Sequence, residues 1–420
     1  MTERPPARNW HLIISIVLSA LAVLYFLTQS LTLGIFCLLD ILTAQGDLTQ
    51  AITTGLLTWA SILGGILLLP ILLLSIYRLR EQPIPAWLDT NRKVVPKVVM
   101  WLIFAWPIVV FIGWLVAGSP KAAAFLLGPI NIIAAGLPVL WMYNAAQWKL
   151  KAGSQFRKWQ VFGFSFAATP ILISIVELVV LLSLGLVVLL WVSFKISIDP
   201  SFEHTVVYLF TKVQLVGDDL EAAIRLFESY LLQPSILFWM AAIFCGIIPI
   251  IEEICKPLVL WFLVGRNITE REGFIGGVLC GAGFALMENV LYATAFSTAE
   301  DWLFVTIGRG GTSVLHMLAS GLVGWGLAKS WQKGKWGFQI FTILAAISLH
   351  GFWNLFALFS GIAPIYLYGL ETTIWQDLVF YVPLVVLLIV YAVCLFLIRR
   401  HFVKKQLSEQ TNDIFGSDSH

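Results

Sequence analysis

Charge is scarce in this chain. Only 12% of its 420 residues are Asp, Glu, Lys or Arg, 59% are hydrophobic, and the mean hydropathy is +0.88. A soluble globule does not reach those values, which belong to a polytopic, all-α membrane protein. Cysteine is also rare. The five present, Cys37, Cys245, Cys255, Cys280 and Cys394, are scattered through apolar runs without paired spacing, so neither a disulfide framework nor a zinc ribbon is indicated and they read as small buried hydrophobes. No cleavable signal is evident. Arg4 and Arg8 precede an apolar stretch that is long for a signal core and lacks a clear small-residue cleavage site, so it reads as the first span.

What is abundant is apolar length. Runs of about 20 residues predict about ten transmembrane helices, at roughly 11–33, 54–77, 98–116, 122–143, 161–192, 235–264, 273–296, 303–328, 337–358 and 375–398. The net charge of +2 decides nothing as a total, but its distribution does. Arg78, Arg80, Lys97, Lys149, Lys151, Arg266, Arg271, Lys333, Lys335, Arg399 and Lys405 fall on one side of that layout, which predicts that side, with both termini, to be cytoplasmic. Four regions follow: an amino-terminal transmembrane region of unknown role (1–194), an extracytoplasmic loop (195–234), a polar-rich transmembrane core (235–358), and a last span with a cytoplasmic tail (359–420). In the loop, Val216, Leu220, Ala223, Ile224, Phe227 and Leu231 recur at helical spacing, predicting an amphipathic helix on the bilayer surface or over a substrate path.

Ionisable residues inside the spans are few and concentrated. Asp40, Asn131 and Glu177 stand alone and read as interhelical hydrogen-bond partners or interface residues. By contrast, the run Pro249-Ile-Ile-Glu-Glu-Ile-Cys-Lys-Pro257 puts Glu252, Glu253 and Lys256 in an apolar helix, where each charge costs roughly 2.5 to 3.5 kcal/mol unless it is partnered. On a helical wheel Lys256 projects about 40° from Glu252 and about 60° from Glu253, so it can neutralise one of them and leave the other as a general base. Pro257 frees the carbonyl of Glu253 and interrupts the helix.

The next three spans continue the pattern. Gly273, Gly277, Gly281 and Ala285 form a stripe of small residues that admits a neighbouring backbone, while Phe284, Glu288 and Tyr292, with Asn289, line the adjoining face. Arg309, Ser313, His316 and Ser320 share one face of the following span, and His350 and Asn354 share a face of the span after it. At about 1.5 Å per residue, Glu252, Glu288, His316 and His350 lie roughly 18 to 22 Å from the same end of their helices. Packing alone does not account for such a layer, which is predicted to be one polar site. Hydrolysis by glutamate-activated water, a proton-coupled transporter and a non-catalytic binding scaffold all fit such a layer, although no internal repeat of the transporter kind relates the two halves.

Glu252-Glu253-Ile-Cys-Lys256, Gly281-Ala-Gly-Phe-Ala-Leu-Met-Glu288-Asn289, His316 following Arg309, and His350-Gly-Phe-Trp-Asn354 together resemble the PrsW family of intramembrane proteases, within the wider CAAX protease and bacteriocin-processing group. The resemblance covers about residues 236–358. Prenyl-protein relatives have His four residues after Phe, where this chain has Glu288 after Phe284, which favours the PrsW branch. The resemblance implies an intramembrane peptide hydrolase, of glutamic or metal-dependent type, acting on a single-span membrane protein of the anti-sigma-factor kind. It places the protein in the cell membrane, which is the cytoplasmic membrane in a bacterium, with the lipid bilayer and not nucleic acid as its surroundings. Glu252 or Glu253 would be the base, Glu288 and His316 would orient or protonate, His350 and Asn354 would clamp the oxyanion, and Lys256, Asn289 and Arg309 would support them. Zinc is a possible cofactor with Glu253, Glu288, His316 and His350 as candidate ligands, although the metalloprotease pattern HExxH is missing.

Overall fold

The computed structural model describes residues 10–43, 47–85, 95–151, 153–216, 222, 226–227, 230, 232–263, 267–294, 296, 298–366 and 379–416. Every regular element among them is helical, as predicted: α1 (Trp10–Thr43), α2 (Thr49–Leu79), α3 (Val95–Leu102), α4 (Trp106–Ala117), α5 (Gly128–Gln147), α6 (Gln155–Ala167), α7 (Thr169–Ile198), α8 (Pro200–Val216), α9 (Pro234–Ala241), α10 (Ile248–Cys255), α11 (Leu258–Trp261), α12 (Glu270–Tyr292), α13 (Ala299–Lys333), α14 (Trp336–Tyr366) and α15 (Val382–Gly416). Most of the amphipathic helix predicted over 216–231 lies outside the described residues.

Nine helical stretches among the described residues are long and apolar enough to cross a membrane, against about ten read from sequence. The difference is α13. At 35 residues it has the length, but Arg309, His316 and its glycines dilute its hydropathy, and most of its middle is buried in protein. A helix walled in by other helices has no need of a lipid-compatible surface.

By their contacts the residues form two compact units, residues 1–170, 256–346 and 388–420 in one and residues 171–255 and 347–387 in the other. The first is built on the antiparallel pair α12 and α13. A Cβ added at Gly277 would meet the carbonyl of Ser320, and one at Gly281 would meet the carbonyl of His316; the small-residue stripe therefore brings backbone against backbone, as its spacing predicted. Gly283, on another face of α12, admits the backbone of α6 at Phe162 and Phe166. The amino-terminal helices are part of the same packing, since Trp302 of α13 is buried in a cluster with Leu56, Val110, Leu127 and Ala134. Asn131 donates to the carbonyl of Val290 at 3.3 Å, and Asp40 accepts from Thr54 at 3.1 Å, so both of these isolated polar residues are interhelical partners.

The ends of the pair are fixed locally. Thr269 and Glu272 form a capping box at the start of α12, satisfying two amides that the first helical turn would leave open. Gly334, with φ of 65°, supplies the left-handed residue that ends α13. Beside the start of α12, buried Glu270 accepts from Lys333 at 2.5 Å, Trp325 at 3.0 Å and Lys405 of α15 at 3.4 Å.

In the second unit, α9 runs through a π-helical turn over Ala242–Ile247 into α10. A π turn leaves backbone groups without their usual intrahelical partner. Here Asn354 of α14 donates to the carbonyl of Phe244 at 2.8 Å, and Gly351 admits the carbonyl of Cys245. The helix α10 stops at Cys255, and Lys256 and Pro257 form a turn before α11, the interruption that Pro257 requires.

Candidate active site

The first unit assembles four charged or imidazole side chains across α12, α13 and the turn at Lys256. Glu288 points one carboxylate oxygen, Oε2, at both Arg309, in a close ion pair, and His316 Nε2 at 2.9 Å. The guanidinium keeps its charge in any protein setting and its plane also lies 4.6 Å from the ring centre of Tyr292. Glu288 therefore acts as an acceptor, and His316 donates to it through Nε2–H. The other ring nitrogen, Nδ1, is 2.8 Å from Lys256 Nζ, both groups being buried. Phe284 closes the arrangement, its ring edge-on to His316 at 5.1 Å and under the lysine ammonium at 4.6 Å. Asn289 is hydrogen-bonded to Ser313 at 2.8 Å across the same helix pair.

The second unit supplies the paired carboxylates. Glu252 and Glu253 are buried near the end of α10, and His350 of α14 is buried with them. His350 Nδ1 donates to Glu253 Oε1 at 2.8 Å and lies 3.8 Å from Glu252 Oε2. Neighbouring glutamates 100° apart on a helix do not point alike, so the nearer, Glu253, holds the imidazole while Glu252 stands beside it. Asn354, one turn after His350, uses one amide hydrogen on Phe244 and has a second to offer.

Each set was legible as a set of residues. Glu288 with His316 and Arg309, and Glu252 and Glu253 with His350, are brought together as helix faces predict. What sequence reasoning missed is the carbonyl of Phe244 as the partner of Asn354, because a π turn has no residue signature beyond a permissive glycine, here Gly246. It also missed the contact between Lys256 and His316. A helical wheel places Lys256 only relative to its own helix, and the long side chain reaches from the turn to another element.

No curated protein and no solved structure matches the chain. Residues 204–392 match the family model described as PrsW family intramembrane metalloprotease, a span wider than 236–358 because it takes in the α8 region and the start of α15. The protein is a multi-pass membrane protease, with nine helical stretches among the described residues long and apolar enough to cross a membrane. Over residues 204–392, a little under half of the chain, the protein is therefore similar to the PrsW family of intramembrane metalloproteases.

Proposed function

We propose that this protease hydrolyses a peptide bond in or next to the membrane-spanning segment of a single-span protein of the anti-sigma-factor kind, and that Glu252, Glu253, Glu288, His316, His350 and Asn354 serve one catalytic site. The observation that carries the reading is the buried Glu253–His350 pair with Glu252 at its side. A carboxylate and an imidazole nitrogen 2.8 Å apart fit neighbouring ligands of a divalent ion, whose bonds of about 2.0 to 2.2 Å set tetrahedral ligand atoms roughly 3.3 to 3.6 Å apart, so a small outward shift admits it. Glu253 and His350 would hold such an ion, and the motif resemblance adds His316 as a further candidate ligand. When bound, zinc brings the pKa of its water to about 7 and polarises a carbonyl.

The chain's own groups do the rest. Glu252 takes the proton of the attacking water and delivers it to the departing amine, general acid–base work typically worth 10² to 10⁴-fold. Glu288, held by Arg309, fixes the ring of His316 through Nε2. The second amide hydrogen of Asn354 is offered to the developing oxyanion, a contribution of about 2.7 to 4 kcal/mol per donor in measured cases. Burial among apolar helices keeps bulk water from these charges and strengthens them.

The test compares membrane proteomes of cells carrying the wild type and Glu252→Gln. A single-span protein that accumulates uncut with the variant is the expected result. Identical fragment patterns in the two would remove the hydrolytic role assigned to Glu252. Cleavage by the purified, metal-free protein that survives a chelator would move the mechanism to glutamate alone.

A further inference from the structure

The lone pair of His316 Nδ1 is already occupied. With Nε2 committed to Glu288, which Arg309 holds as an acceptor, Nδ1 is the only ring atom left for chemistry, and Lys256 Nζ lies 2.8 Å from it. The ammonium has three donors and no acceptor, so it donates to that nitrogen. Were the proton on the imidazole instead, Nδ1 would donate to the amine, and its lone pair would be taken all the same. The lysine is seated as a ligand would be. It is fully buried, its charge rests 4.6 Å above the Phe284 ring, and the same ring fixes the plane of His316.

We propose that Lys256 is a resident cation on the ligating atom of His316, so that a divalent ion and the Lys256 ammonium exclude one another there. The proposal rests on the reading above that His316 serves a metal. Its consequence is that loading the site requires Lys256 to leave Nδ1, and that in the metal-free protein this nitrogen is held by the ammonium. A neutral imidazole binds a metal only through its lone pair, so no geometry satisfies both cations at once. Residues of both α12 and α13 support the arrangement: Phe284 and Glu288 from the first, and Arg309 and His316 from the second.

The experiment is calorimetric titration of the purified full-length, chelator-stripped protein with Co²⁺ and with Zn²⁺, for wild type, Lys256→Met, Lys256→Gln, His316→Gln and the double variant Lys256→Met/His316→Gln. Lys256→Met is expected to bind about 10-fold or more tightly than wild type. Lys256→Gln, which keeps a donor for Nδ1 but no charge, should fall between them, and it stands in if the methionine variant elutes as aggregate. The gain must vanish in the His316→Gln background, which separates competition at one atom from general relief of repulsion between cations. Equal or weaker binding by both lysine variants, or a gain that persists without His316, overturns the proposal while leaving a metal site in place. If neither the wild type nor any variant takes up either ion, the metal reading falls and this inference with it.

Discussion

Two neighbouring glutamates in a helix are chemically alike, and their surroundings make them differ. Glu253 is held by His350 at 2.8 Å, while Glu252 is 3.8 Å from the same nitrogen. A carboxylate that is already accepting a short hydrogen bond is the poorer base and the better anchor. Glu252→Gln should therefore lower cleavage of a reconstituted single-span substrate by about 10² to 10⁴-fold with substrate binding retained. Glu253→Gln should lower both cleavage and metal uptake, measured by titration. Equal loss of turnover with unchanged metal binding in the two variants would contradict the division of labour. In the proposed mechanism Arg309 is a positioning residue by the same reasoning. Arg309→Gln leaves Glu288 free to turn away from His316, and loss of such an outer partner typically costs about 10 to 100-fold in metal affinity or activity. Arg309→Lys should not restore it fully, because a point charge cannot both reach Glu288 and lie flat on Tyr292.

At the scale of elements, the α12–α13 pair carries the geometry. The backbone of α13 lies against Gly277 and Gly281, and the carbonyl approached by Gly281 belongs to His316 itself. Gly281→Ala would therefore push apart the helices that hold Glu288 and His316, at the roughly 1 to 3 kcal/mol typical of overpacking. The expected outcome is a lower midpoint in detergent-based thermal unfolding together with lost cleavage. Gly308, where an added Cβ would meet nothing, serves as the control: Gly308→Ala should leave both readouts near wild type. The turn after α10 has a similar weight. The helix ends at Cys255, two residues before Pro257, so Lys256 leaves the helical direction and reaches α13.

At the scale of the molecule, the family match begins at residue 204, yet α12 and α13, the helices that carry Glu288 and His316, pack against what precedes it. Phe162 and Phe166 of α6 meet Gly283, Asn131 of α5 bonds the carbonyl of Val290, and Trp302 is buried with Leu56 and Val110. Residues 1–170 thus complete the walls of α12 and α13. A chain cut to residues 200–420 is expected to be degraded or inactive, and co-expression of residues 1–198 as a separate piece should restore cleavage, read by limited proteolysis and substrate conversion. Full activity of the shorter piece alone would show that these contacts are dispensable.

Hydropathy is additive along the chain, so composition alone determined an all-helical membrane protein and most of its spans. Helical spacing alone likewise determined the glycine stripe and the shared faces of Glu288, His316, His350 and Asn354. The count of membrane-crossing stretches departed from that reading at α13, because burial by other helices removes the requirement for an apolar surface, and a sequence window cannot see burial. Tertiary structure alone decided which atoms meet. A wheel gives directions around one helix axis and not distances between helices, so it could place Lys256 near the glutamates but not at 2.8 Å from His316. The π turn that offers the Phe244 carbonyl to Asn354 is a displacement of backbone hydrogen bonds by one residue, which side-chain identity barely encodes.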